Sequence, residues 1–298
     1  MNHSPARAST RRALTGAAAL GLTLTVLTAC ATTPTTQEPS STAMKPAESS
    51  LTMVDNSGHE LAFHVTPGNL PAIVLDAGGG LDSSYWDDLA PKISRSTGSM
   101  VIAYDRAGMG DSDEVPGAWS AEAAADDLDA GLVALDADQV ILVSHSLAGE
   151  VSTYYANEHP DTVAGAVFLD ASLPELYTPK LVEMMVASNQ ESLKEAQAAP
   201  STSETRQFIS LAQNYGPDHT VYHSMSWPQA IPVIAVVSEE TPFPTPELAE
   251  LWHAAAAQFV DQADNRTLVT ADRSSHDIVA DRPELVLDEV ANILNIVR

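Results

Sequence analysis

The sequence predicts an α/β protein built on a doubly wound, mostly parallel sheet, and three features carry that expectation. The first is a series of short runs that are almost continuously apolar: Ala72–Leu75, Met100–Tyr104, Val140–Val143, Ala164–Leu169, Val233–Val237 and Thr267–Val269. A strand with one wet face alternates apolar with polar residues, whereas unbroken runs suit strands covered on both faces. The second is helical spacing between those runs, which gives the strand–helix alternation of a parallel sheet. The third is length. Of 298 residues, the first fifty differ in character from the rest, and the remaining ~250 suit one open sheet with a full core.

The N-terminal stretch reads as an export signal. Residues 1–12 carry Arg7, Arg11 and Arg12 and no acid, and Ala13 to Leu27 is an apolar run rich in Ala, Leu and Val. The run is too short and too rich in small residues for a stable membrane span, but it fits a signal peptide over residues 1–29. It ends in Leu27-Thr28-Ala29-Cys30, which resembles a bacterial lipobox, and Cys30 is the single cysteine of the chain. That resemblance implies lipidation of Cys30, export to the cell envelope and attachment to a membrane. The string Thr10-Arg11-Arg12-Ala13-Leu14 also resembles a twin-arginine signal. Residues 30–50 are rich in Thr, Pro, Ser, Glu and Gln and hold almost nothing to bury, as in a disordered tether. With one cysteine, disulfides and thiolate chemistry in the body are excluded by count. The net charge of −26 repels phosphate backbones, so nucleic acid is not an expected partner.

The body, residues 51–298, opens with an expected hairpin, because Leu61 to Val65 follows an Asn56-Ser57-Gly58 turn. Trp86, Leu89 and Ile93 are spaced for one face of a helix. Val286, Val290, Ile293 and Val297 are spaced likewise, with Pro283 at a helix-start position. Residues 172–230 interrupt the rhythm. They hold no convincing strand after the sixth one, but two expected helices, Pro179–Ala199 and Ser203–Tyr215, whose apolar residues suit a small helical cap.

The chemistry begins at Ile141-Leu142-Val143-Ser144-His145-Ser146-Leu147-Ala148-Gly149. An apolar strand runs straight into a serine flanked by small residues two positions away on each side, and a helix follows. A sharp strand-to-helix turn crowds its backbone, so positions 144 and 148 must be small, and the strain lifts the Ser146 hydroxyl clear of the sheet. Leu75-Asp76-Ala77-Gly78-Gly79-Gly80, then Trp86, precede it, as does Tyr104-Asp105-Arg106-Ala107-Gly108-Met109-Gly110-Asp111-Ser112. Asp281-Arg282-Pro283-Glu284 opens the last helix. In this order the motifs resemble the α/β-hydrolase superfamily over nearly the whole body.

The resemblance implies Ser146 as nucleophile and His276, in Ser274-Ser275-His276-Asp277, as its base. The other eight of nine histidines lack such a place: His3 falls in the signal, His145 is expected to point away from the nucleophile, and the rest read as surface or packing residues. The sequence departs from the family pattern at the acid. The turn after Val233–Val237 reads Ser238-Glu239-Glu240-Thr241, with threonine where an aspartate is usual. Asp170, at the end of the preceding strand, is one replacement, and Glu239 or Glu240 the other. Backbone N–H groups of Leu147 and Gly79 are the natural oxyanion donors. No metal or nucleotide motif is present, so no cofactor is implied. The expected reaction is hydrolysis of a carboxylic ester, or amide, of a small, partly apolar substrate through an acyl-enzyme. A serine at this position argues against epoxide hydrolase chemistry, which needs a carboxylate nucleophile, whereas a cofactor-free perhydrolase or lyase would use the same residues. The rival from another class is a ligand-binding lipoprotein on a decayed hydrolase scaffold.

Overall fold

The computed structural model describes residues 48–298. Cys30, the signal segment and most of the tether lie outside the described residues. Eight strands form one sheet: β1 (Ser50–Asn56), β2 (His59–Thr66), β3 (Asn69–Asp76), β4 (Ser99–Tyr104), β5 (Val140–His145), β6 (Val163–Leu169), β7 (Val233–Ser238) and β8 (Arg266–Ala271). Their order is β1-β2-β4-β3-β5-β6-β7-β8. The expected hairpin is β1–β2, with Ser57 and Gly58 at positive φ in its turn. β2 meets β4 antiparallel, and every pairing from β4 across to β8 is parallel.

The alternation of side chains along a strand explains the unbroken apolar runs. In β3, Ala72 and Val74 enter a core on one face, with Leu128, Tyr155 and Phe259 of the helices α2 (Ala121–Ala134), α3 (Ala148–Glu158) and α6 (Pro246–Val260). Ile73 and Leu75 enter a second core on the other face, with Ile93 of α1 (Ala90–Thr97) and Val286, Val290 and Ile293 of α8 (Pro283–Val297). The last run behaves differently. β8 is an edge strand, and its Leu268 is 38% exposed.

Trp86, Leu89 and Ile93 are all buried, as their spacing predicts, but not on one helix. Trp86 closes a 3-10 turn at Ser83–Trp86, and α1 begins only at Ala90, ahead of Pro91. Between β6 and β7 stand the two cap helices, α4 (Pro179–Ala198) and α5 (Ser203–His223). α5 runs eight residues past the expected end at Tyr215, through Gly216 and Pro217. Proline normally breaks a helix by losing an N–H and crowding the preceding turn. Here the last turns are held from outside, because His219 and Tyr222 are buried against the body. A four-residue helix, α7 (Ile278–Asp281), precedes α8.

Candidate active site

Ser146 sits between β5 and α3 with φ of 54°, a left-handed conformation that a residue with a side chain adopts only under constraint. Its neighbours supply the constraint. The Ser146 N–H donates to Leu169 O (3.2 Å), and its carbonyl accepts from Ser172 N (2.8 Å) and Gly149 N (3.0 Å). Ser144 and Ala148 are buried, and a Cβ on Gly149 would lie 2.5 Å from Ser172 O. Glycine at 149 is therefore a packing requirement, and the small residues that the sequence called for at 144 and 148 are both enclosed.

The three side chains drawn from the ends of β5, β6 and β8 meet in one hydrogen-bonded row. Ser146 Oγ donates to His276 Nε2 at 3.0 Å, and His276 Nδ1 donates to Asp170 Oδ2 at 2.6 Å. Asp170 is buried and takes four donors in all. Ser238 N (3.0 Å) and Trp252 Nε1 (2.7 Å) bind one oxygen, while Ser238 Oγ (2.7 Å) shares the other with His276. Burial pushes its carboxyl pKa up, but donation from His276, Ser238 and Trp252 outweighs burial and holds it below the ordinary value. Asp170 too has a left-handed φ, of 47°.

Glu239 and Glu240, the other two carboxylates considered for this place, do not reach His276 in this arrangement. Glu239 Oε2 accepts from Arg273 N (2.6 Å), and Glu240 N donates to Ser274 O (2.9 Å). They tie the loop after β7 to the loop after β8.

Gly79 and Leu147 face each other across the opening: a Cβ on Gly79 would lie 3.4 Å from the Leu147 side chain. Neither backbone N–H has an acceptor among the described residues. Gly78 approaches still closer, since its Cβ would lie 3.3 Å from that of Ser146 and 2.8 Å from His145 Nδ1. Only glycine allows that approach. Beneath the loop, Arg106 pairs with Asp76 and donates to the carbonyls of Ala77 and Gly78, with all four residues buried.

Several of these partners were not legible beforehand. His145 does not simply point away. Its Nε2 donates to the His276 carbonyl (3.0 Å), and its ring lies between Tyr85 and His276, at 5.0 and 4.7 Å. Burial, and then the charge of His276, push its pKa down to about 4, so it stays neutral and serves as a prop. Tyr85 donates to Asp277 Oδ1 (2.8 Å) from the same side. His219, expected at the surface or in packing, is buried. It bonds Glu150 Oε1 (3.3 Å) and Tyr215 O (2.7 Å) and lies between the rings of Tyr177 and Tyr215.

A family model described as alpha/beta hydrolase fold matches residues 71–266. An uncharacterized protein of Mycobacterium tuberculosis is 33% identical over 114 residues, 38% of this chain and 33% of that protein. The sn-1-specific diacylglycerol lipase ABHD11 of Mus musculus is equally similar, over 38% of this chain and 37% of its own. The matched stretch thus spans about a third of the length of these curated relatives. Among solved structures, a Vigna radiata epoxide hydrolase mutant superposes with a TM-score of 0.65 at 16% identity, over 83% of this chain and 99% of the other. At that identity the likeness is one of fold.

Proposed function

The chain belongs to the alpha/beta hydrolase fold family, and we propose on that premise that it is a serine hydrolase cleaving a carboxylic ester of a small, partly apolar substrate. An amide is the second bond class. The observation that carries the reading is the row Ser146–His276–Asp170, with separations of 3.0 and 2.6 Å. An epoxide hydrolase shares the fold, so fold alone does not choose the bond. An alcohol hydrogen-bonded to an imidazole is an acyl-transfer nucleophile, whereas epoxide opening in this fold calls for a carboxylate at position 146.

His276 Nε2 takes the proton as Ser146 Oγ bonds to the substrate carbonyl carbon. The carbonyl oxygen becomes an oxyanion, held by the N–H groups of Leu147 and Gly79. His276 then gives the proton to the leaving alkoxide as the acyl C–O bond breaks, which leaves an acyl-serine. Water, deprotonated by His276, attacks that ester, and the proton returns to Ser146 Oγ as the acid departs. Asp170 stays ionised throughout. Its four donors fix the carboxylate, and the carboxylate fixes the His276 tautomer with the proton on Nδ1.

The ground for a decayed, ligand-binding scaffold was the threonine at position 241. That ground weakens once Asp170 lies against His276. A fluorophosphonate probe tests the reading. Prompt labelling of the full chain that disappears in Ser146→Ala is the expected result, together with hydrolysis of p-nitrophenyl esters. No labelling and no hydrolysis by well-folded protein would overturn it.

We also propose that the chain is exported and anchored in the cell envelope through a lipid on Cys30. No described helix is long and apolar enough to cross a membrane. Metabolic labelling with an alkynyl fatty acid should mark the wild-type chain and not Cys30→Ser. Equal labelling of both would remove the anchor.

A further inference from the structure

A carbonyl and the N–H that follows it belong to one rigid unit. In a planar trans peptide they point in opposite directions, so holding the oxygen on one side aims the hydrogen at the other. Both expected oxyanion donors obey this constraint. The Leu147 N–H shares its peptide with the Ser146 carbonyl, which accepts from Ser172 N (2.8 Å) and Gly149 N (3.0 Å). Backbone alone fixes that donor. The Gly79 N–H shares its peptide with the Gly78 carbonyl, and here a side chain supplies the hold: Arg106 Nη2 donates to Gly78 O at 2.5 Å. A turn bond from Leu81 N reaches the same oxygen at 3.3 Å, the longer and weaker of the two.

We propose that Arg106 is a positioning residue of the oxyanion site: it pins the Gly78 carbonyl beneath the loop and so turns the Gly79 N–H toward the opening. The inference rests on the serine-hydrolase reading above and adds to it a buried residue that touches no substrate. Glycine makes the tie necessary. Residues 78–80 have no side chains to restrict the backbone, so the 78–79 peptide is free to rotate unless something outside the loop holds it.

Arg106 is itself firmly placed. It is 3% exposed, its Nη1 pairs with Asp76 and donates to the Ala77 carbonyl, and Tyr104 Oη donates to the other Asp76 oxygen (2.8 Å). A guanidinium carries its donors in one rigid plane, so fixing one arm sets the direction of the other. The preceding residue secures the far end of the same loop, since Asp105 Oδ1 accepts from Ser83 N (2.7 Å). Between these two anchors the cap reaches down, with Gln207 Oε1 accepting from Gly80 N. The Gly79 N–H remains without an acceptor among the described residues, as a donor reserved for an oxyanion must.

The test compares p-nitrophenyl acetate with its thionoester, in which sulfur replaces the carbonyl oxygen. Sulfur accepts hydrogen bonds poorly, so a well-aimed donor favours the oxygen ester and a misaimed one favours it less. Arg106→Lys keeps a cation for Asp76 but loses the second arm that reaches Gly78. It should lower kcat for the oxygen ester by about ten- to a hundredfold with KM within about threefold, and cut the oxygen-to-sulfur ratio of kcat/KM by about tenfold. Tyr104→Phe loosens the same buried pair without touching the loop, so its ratio should stay within about twofold of wild type. If Arg106→Lys does not fold, the double variant Asp76→Asn with Arg106→Met, which leaves no charge buried alone, takes its place. A ratio within twofold of wild type in the Arg106 variant, or an equal fall in Tyr104→Phe, would overturn the inference and leave the proposed function standing. Should the wild type hydrolyse neither ester, the proposed function falls and ¹⁵N relaxation decides the aiming of Gly79. An order parameter for the Gly79 N–H that drops from about 0.85 to below about 0.6 in the Arg106 variant, with Leu147 unchanged, supports it. Equal order in both chains overturns it.

Discussion

The two flanks of Ser146 are built to different standards of polar pairing. On the β6–β8 flank nearly every group near the site is satisfied. Asp170 has four donors, His253 Nε2 donates to the Ser238 carbonyl (2.8 Å), and Glu239 takes the Arg273 N–H (2.6 Å). On the β4 flank a cavity opens beside the core, the Gln207 Nε2 has no acceptor among the described residues, and an exposed Arg206–Glu114 pair lies at the rim. A saturated network holds one geometry, which proton transfer needs. The two flanks thus differ in how firmly their polar groups are held.

The comparison breaks first if the saturated flank turns out not to matter. Asp170→Asn should lower kcat by ~10⁴-fold, because an amide no longer enforces the His276 tautomer. A loss of only a few-fold, measured on any hydrolysed ester, would show that another carboxylate supplies the role. Trp252→Phe is a finer cut. It removes one donor from Asp170 Oδ1 and keeps the ring that meets His276 edge-on at 5.9 Å. A bond to a charged acceptor contributes more than a neutral one, so kcat should fall by about tenfold. Asp170 would then be less favoured as a carboxylate, which moves the acid limb of the pH–rate profile upward. An unchanged acid limb would mean that the indole only packs.

These residues divide by how far their partners lie in the chain. Ser146, Gly79 and Leu147 were legible because a tight turn restricts residues within two or three positions of itself, and that restriction is written locally. His276 was legible from its place between the last strand and the last helix. The choice among Asp170, Glu239 and Glu240 was not, since it depends on strand pairing. Leu169 pairs with Val236, which brings Asp170 beside Ser238, and the indole that completes the set comes from position 252. Nothing near position 170 announces those donors. Gln207 and His219 were hidden for the same reason, because each is defined by what one face of α5 happens to meet. The end of α5 was misplaced at Tyr215 because Gly216-Pro217 is a local stop signal that tertiary contacts override.

The contact between α5 and α3 sharpens the comparison, because here the cap itself is well paired. His219 meets Glu150 across the interface, with Tyr177, Tyr215 and Asp218 also facing the imidazole. Burial pushes the His219 pKa down, but hydrogen bonding and attraction to Glu150 outweigh burial and raise it above the ordinary 6.5. A group with a raised native pKa stabilises fully below its unfolded pKa and loses that contribution as the pH climbs through the native one. Amide exchange in the last two turns of α5 should therefore quicken by several-fold, beyond the intrinsic pH effect, between pH 6 and 9. Glu150→Gln should flatten that dependence. Equal pH responses in the two proteins would remove His219 as the titrating group.

The smallest effect belongs to the rim. Arg206 reaches Glu114 in an ion pair whose side chains are 44% and 54% exposed. Water competes for both charges, and ordering two long side chains costs entropy, so such pairs contribute about 0–1 kcal/mol. Arg206→Ala should accordingly shift stability within that range, and a shift it does produce should shrink as salt rises. Its neighbour in sequence, Gln207, is buried and bonded to Gly80, so one residue along the helix the expectation changes in kind. Substitution at 206 should also leave ester hydrolysis within threefold of wild type. If Arg206→Ala costs well over 1 kcal/mol, or the loss persists at high salt, the rim pair is shielded from water and the contrast between the exposed residue and its buried neighbour gives way.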